Sequence, residues 1–203
     1  MTATGAGRPG PRKDDTPTMT RPLRLAPRAL LLALFAAGCS TEPAPAPTVE
    51  IDELFPADNE IGSWVEDTTV GAAGVEIADS PTEAEAIIDG DAEPFTAHDF
   101  ARFAIQNYTN GSEKLELRVW QMADAAAATA IYDYLPANNS IYMASSWEDV
   151  SIGEAGRASN TGASWWINAR TGAFYVEAKI NAVSDAARAD AEAFARAVVG
   201  KVP

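Results

Sequence analysis

The sequence predicts an α+β domain: a mostly antiparallel sheet built from hairpins, with about three helices packed on one face of it. Two observations carry that prediction. Alternating apolar and polar residues converge on turn sequences at two places, which is the pattern of β-hairpins. Apolar residues at helical spacing lie between and after these hairpins, without the strand–helix–strand alternation of a parallel sheet. The chain has 203 residues, 47% hydrophobic and 22% charged. That supports one core and is too ordinary for a disordered or multi-span membrane protein.

Taken in order, Ile61-Gly-Ser-Trp64-Val65 reads as a short strand or turn. Ser80-Pro81-Thr82-Glu83 is a capping box with Pro at the first helical position, so a helix is expected through Ile88, stopped by Asp89-Gly90-Asp91. Phe103 and Ile105 lead to Asn110-Gly111, after which Leu115, Leu117 and Val119 alternate with Lys114, Glu116 and Arg118. Asn-Gly between two such runs predicts a type I′ hairpin whose second strand turns its polar face to water. Ala123-Asp124 opens a helix with Ala127, Ala128, Ile131 and Leu135 on one side, ended by Pro136 and Asn138-Asn139.

Strands are expected next at residues 141–143 and 150–152. A second hairpin joins residues 164–167 to 174–180 through Ala169-Arg170-Thr171-Gly172. The final helix is capped by Ser184 and runs to Val199, with Gly200 at the position just past its end.

Ahead of this domain, Arg21, Arg24 and Arg28 precede an apolar run from Ala29 that ends in Ala36-Ala37-Gly38-Cys39. A basic stretch, a short apolar stretch and small residues make a secretory signal. The run is too short to span a bilayer, which takes about 20 apolar residues. Its end resembles a bacterial lipobox, with Ala36 where Leu is commonest. The resemblance implies that the Cys39 thiol is diacylated and becomes the mature N-terminus. Ser40 after it implies, by likeness to lipoprotein sorting rules, the outer membrane facing the periplasm.

The organisation read from the sequence is therefore an upstream over-extension of the reading frame at 1–18, with Met19 as the start, then a lipoprotein signal peptide at 19–38. Residues 39–48 form the acylated Cys and a Pro/Ala tether, extended at ~3.1 Å per residue. Residues 49–203 form a single acidic domain.

Charge excludes one class of partner. The whole chain carries −14. Cleavage before Cys39 removes six basic and two acidic residues, leaving 9 basic, 27 acidic and a net charge of −18. Such a surface repels nucleic acid and anionic headgroups, so membrane attachment rests on acyl chains, and an envelope protein or glycan is the expected partner.

Three segments carry a family likeness: Ala86-Ile87-Ile88-Asp89-Gly90-Asp91-Ala92-Glu93, then Leu117-Arg-Val119-Trp120-Gln-Met122-Ala-Asp124, then Ala128-Thr-Ala130-Ile131-Tyr132. Together they resemble an uncharacterised bacterial lipoprotein family with an Ile-Asp-Gly-x-Ala-Glu segment. This chain has Asp91 where that family more often has a second Gly. The resemblance implies the fold and the address, and no activity.

The chemistry-bearing residues are few. His98 is the only imidazole, and Asp99 beside it would point to the opposite face of a strand. Acylation removes Cys39 as a nucleophile, no Gly-x-Ser-x-Gly elbow occurs, and Gly71-Ala-Ala-Gly74 has no neighbouring Lys or Arg to make a phosphate loop. Asp89, Asp91 and Glu93 alternate as calcium ligands do, but the further Asp or Asn and the distant Glu of a full calcium loop are missing, which favours a turn capping the preceding helix. Trp165, Trp166 and Tyr175 could form an aromatic contact surface, or ordinary strand packing.

A non-enzymatic ligand- or partner-binding or structural module is expected, with no cofactor beyond Ca2+ at the acidic turn. The alternatives are a carboxylate-based hydrolase acting on envelope glycan and a calcium-dependent adhesion or scaffold module.

Overall fold

The computed structural model describes residues 49–71, 73–138 and 146–203. The signal segment, Cys39, the tether and the strand expected at 141–143 lie outside the described residues.

A 3₁₀ turn, Ile51–Leu54, leads into the short strands β1 (Val65–Glu66) and β2 (Glu76–Ala78). Helices α1 (Pro81–Ile88) and α2 (Glu93–Thr96) follow, then the long hairpin β3 (Phe100–Thr109) and β4 (Lys114–Met122). Helix α3 (Ala125–Asn138) separates that hairpin from β5 (Glu148–Asp149), β6 (Ala155–Asn160), β7 (Trp165–Thr171) and β8 (Phe174–Ile180), and α4 (Asp185–Lys201) closes the chain. The eight strands form one sheet in the order β1-β3-β4-β8-β7-β6-β5, with β2 also on β3 and every strand pair antiparallel. The class is α+β.

Helices cover both faces of the sheet, not one. On the first face, Phe194, Ala195 and Val198 of α4 pack with Leu117, Val119, Val176 and Ile167. On the second face, Phe95 of α2 and Ile131 and Leu135 of α3 pack with Phe103, Trp120 and Tyr175. Phe95 lies flat on Trp120, with ring centroids 3.7 Å apart. The polar residues of β4 therefore do not face open water: Arg118 is buried, and Glu116 is half-buried. Two covered faces follow from which residues alternate on β3, where odd positions (Phe103, Ile105) and even ones (Ala104, Tyr108) are both apolar and buried.

Capping chemistry sets the helix starts. Ser80 Oγ accepts from the Glu83 amide, while Glu83 answers to the amide of Asp79 rather than of Ser80. Asp124 Oδ1 accepts from the Ala127 amide at 2.9 Å, and Ser184 Oγ from the Ala187 amide at 3.1 Å. Gly200 does not end α4; the helix runs through it to Lys201, whose ammonium reaches the Phe55 carbonyl at 2.9 Å.

The turns differ from expectation. Thr109 pairs with Lys114, so the first hairpin closes through four residues, not a two-residue type I′ turn. Thr109 Oγ1 and the Asn110 amide and side chain bind Glu113 and hold the wider loop. In the second hairpin Thr171 pairs with Phe174, so Ala169, Arg170 and Thr171 are strand and only Gly172-Ala173 turns. Gly172 has φ +51° and Ala173 has no positive φ, the sign pattern of a type II′ turn. Val150–Ile152 is not a strand; pairing begins instead at β5 and β6.

Among the described residues no helix is long and apolar enough to cross a membrane.

Candidate functional site

The second face carries a polar band inside the sheet. Register aligns Arg118 on β4 with Glu177 on β8, Glu177 with Asn168 on β7, and Asn168 with Arg157 on β6. All four are buried. Burying such groups costs free energy unless each finds a partner, so where their bonds go decides what the face can do.

At the β4 end the charges are paired. Arg118 lies 2.8 Å from Glu116 Oε1 and 3.3 Å from Asp91 Oδ2. Glu177 Oε2 accepts from the Trp120 indole at 3.1 Å. Beside them a cleft of about 350 Å3 is lined by Arg118, Glu116, Asn107, Glu76 and the apolar Ile88 and Val70. Towards the β3–β4 loop it shares Val70, Asn107 and Glu116 with a hollow of about 190 Å3, whose walls add Asp67, Lys114, Lys179 and Asn181. The two make one groove of mixed charge.

Asp67 is the fixed anion of that groove. Lys114 Nζ sits 2.6 Å from its Oδ2, and Thr69 donates to Oδ1 through its hydroxyl at 2.6 Å and its amide at 3.1 Å. The Lys114 bond and then the Thr69 hydroxyl lower its pKa to about 2. Lys179 has no carboxylate partner within salt-bridge reach among the described residues. Its ammonium lies over the Trp166 ring, 5.1 Å from the centroid.

At the β6 end the bonds run out. Arg157 Nη1 donates to the Tyr132 carbonyl at 2.7 Å, and the guanidinium lies 3.9 Å over the Tyr132 ring and 4.9 Å from that of Trp147. Among the described residues, Arg157 Nε and Nη2, both polar atoms of the Asn168 side chain and Arg170 Nε have no hydrogen-bond partner, and the Tyr175 hydroxyl has only the Arg157 side chain beside it. Burial pushes the Tyr175 phenol well above its ordinary range; the Glu177 charge adds to this, and the neighbouring Arg157 opposes it.

Five of the nine basic residues from Cys39 onward, Lys114, Arg118, Arg157, Arg170 and Lys179, thus stand on one face of an acidic protein. The signal for this was visible in the sequence as Lys114-x-Glu116-x-Arg118 and Glu177-x-Lys179. Alternation alone assigned such residues to water.

The residues singled out from sequence fare differently. Trp165 and Trp166 are each 8% exposed and Tyr175 is 0% exposed, so they form no exposed aromatic contact surface. Trp165 belongs to the core under α4, with Arg188 4.9 Å over its ring, while Trp166 and Tyr175 belong to the opposite core. The cause is the covering of both sheet faces.

Asp89, Asp91 and Glu93 are not gathered as a calcium site. Asp89 ends α1 in the left-handed region at φ 45°, Asp91 turns to Arg118, and Glu93 opens α2. Among the described residues no three His, Cys, Asp or Glu side chains could hold a metal ion. His98 Nδ1 donates to the Pro94 carbonyl at 2.6 Å, and its ring packs 4.6 Å from that of Tyr134.

No family model and no curated protein matches the chain. Among solved structures it is similar to the extracellular domain of PknH from Mycobacterium tuberculosis, at 10% identity and a TM-score of 0.43. That likeness covers 73% of this chain and 92% of that one.

Proposed function

We propose that this chain is an envelope lipoprotein, acylated on Cys39, whose domain is a non-enzymatic binding module with its ligand site in the groove of the second face. The groove carries this reading. Asp67 with Lys114, and Glu116 and Asp91 with Arg118, are ion pairs that hold one another in place. Fixed charges of both signs beside Asn107 and a strip of Ile88 and Val70 suit a polar ligand with an apolar part. Lys179, with no carboxylate partner among the described residues, is a cation free to meet an acidic group. The address rests on the sequence of residues 21–39.

Two measurements on the full chain test this. Feeding cells an alkyne-tagged palmitate should label the protein and leave Cys39→Ser unlabelled; an unlabelled wild type overturns the anchor. Titrating soluble peptidoglycan fragments should change the tryptophan emission, and Lys179→Gln should weaken the response about tenfold. The fragments should be recovered intact. Unchanged emission at millimolar fragment overturns the groove as a site for envelope glycan, and cleaved fragments overturn the non-enzymatic reading.

A further inference from the structure

We infer that the corner of the second face formed by Arg157, Asn168, Arg170 and Tyr175 is an enclosed binding site for a small oxyanion, a carboxylate, phosphate or sulfate group. The four residues are neighbours by register: Arg157 is opposite Asn168, Arg170 is opposite Tyr175, and Asn168 and Arg170 are two apart on β7. Asn168 and Tyr175 are 0% exposed and Arg157 is 6% exposed. The inference is independent of the groove reading above.

The chemistry of the unused atoms points to an anion. Arg157 spends Nη1 on the Tyr132 carbonyl, which leaves Nε and Nη2 without partners. Those two N–H groups form one edge of the guanidinium, the two-donor fork whose spacing matches two oxygens of a carboxylate or phosphate. Arg170 Nε, Asn168 Nδ2 and the Tyr175 hydroxyl add further unused donors. Against these stand two acceptors, Asn168 Oδ1 and the Tyr175 oxygen, which has the Arg157 side chain beside it.

The charges lean the same way, with Glu177 the one buried carboxylate near the corner among the described residues. Among the described residues no carboxylate pairs with Arg157. Residues 139–145 contain no Asp or Glu to supply one. Glu154 takes the outer Nη1 of Arg170 at 2.5 Å, and Glu177, opposite Asn168 and two residues from Tyr175 on β8, accepts from Trp120. Water could satisfy the donors, but it would leave a buried guanidinium without a counter-charge, which is costly. An oxyanion answers both.

The test uses the purified full chain, dialysed into chloride. Sodium phosphate, sulfate and acetate are each titrated at constant ionic strength, with calorimetric Tm and heat of binding as readouts. At least one should raise Tm saturably at one ion per chain, and their ranking identifies the group. Asn168→Asp, which sets a carboxylate of the chain beside Arg157, should weaken that binding about tenfold or more.

Tyr175→Phe removes a single oxygen and should weaken it several-fold, keeping the question open if the aspartate variant does not fold. Lys201→Gln, at the end of α4 and bonded to the Phe55 carbonyl, should bind the ion as wild type does. No saturable shift with any of the three ions overturns the site and leaves water as its only guest. So does undiminished binding in Tyr175→Phe together with a folded Asn168→Asp.

Discussion

Arg157 donates to the main-chain carbonyl of Tyr132, the carbonyl that Pro136, four residues on, cannot reach with an N–H. Proline inside a helix leaves the i−4 carbonyl without its donor. A side chain from β6 fills the gap and, stacked on the Tyr132 ring, ties the last turns of α3 to the sheet. Pro136→Ala restores the missing N–H, but to a carbonyl already satisfied. Its gain should therefore fall well below the ~3 kcal/mol a helical proline ordinarily costs. In an Arg157→Met background the same change should gain more. Urea unfolding of the four proteins in the cycle should give a coupling of about 1 kcal/mol. Additive effects would mean that the bond does not stand in for the helical one.

Asp67 gives the protein an acid-sensitive fixture. Its pKa is about 2 folded against an ordinary 3.8, lowered first by Lys114. A depressed folded pKa means that the stabilisation is present above the unfolded value and lost as pH falls through the folded one. The loss belongs between about pH 4 and pH 2. Lys114→Met removes the largest cause, so Tm against pH should decline less steeply in that window than in wild type, while starting lower at pH 7. Parallel curves would show that Lys114 does not hold Asp67 ionised.

Trp166 should behave as core. It is 8% exposed, its indole donates to Ser164 Oγ at 3.1 Å, and Lys179 lies over it. Truncating a large buried aromatic costs about 3–5 kcal/mol. Trp166→Ala should lose that much in chemical denaturation, and Trp165→Ala a similar amount on the other face. A loss below about 1 kcal/mol for either would return it to the surface role that its sequence suggested.

Local chemistry was legible in the sequence, and long-range pairing was not. Ser80, Asp124 and Ser184 each cap the helix that a neighbouring-residue rule assigns to them, because a cap is an interaction across three residues. The hairpins were legible for the same reason, though Thr171 continued a strand where a turn was expected. Strand β6 was hidden because Ala-Gly-Arg-Ala-Ser-Asn has no apolar alternation. It is small where neighbours crowd it, since a Cβ on Gly156 would meet the Val150 and Ile152 carbonyl oxygens. The polar band was hidden because its partners are distant: Arg118 meets Asp91 across 27 positions and Trp120 meets Glu177 across 57. A charged residue that has found its partner elsewhere in the fold looks, in sequence, like one that faces water.

Gly153 sets where β7 begins to meet the chain ahead of β6, and its substitution separates crowding from backbone strain. It bridges to Arg170 at φ +63°, with the Glu154 amide donating to the Arg170 carbonyl at 2.9 Å. A Cβ there would run into that carbonyl oxygen, which the sheet cannot move without breaking the bond. Gly172, at φ +51°, has nothing within 4 Å of its would-be Cβ. Gly172→Ala should then cost only the left-handed backbone, about 1 kcal/mol, and Gly172→Asn less. Gly153→Ala adds a backbone clash to the same strain and should cost about 3 kcal/mol or more. Because it displaces Arg170, it should also weaken any oxyanion bound at that corner, whereas Gly172→Asn should not. Equal losses in the two glycine variants, read by urea unfolding, would show that Gly153 matters for its φ alone.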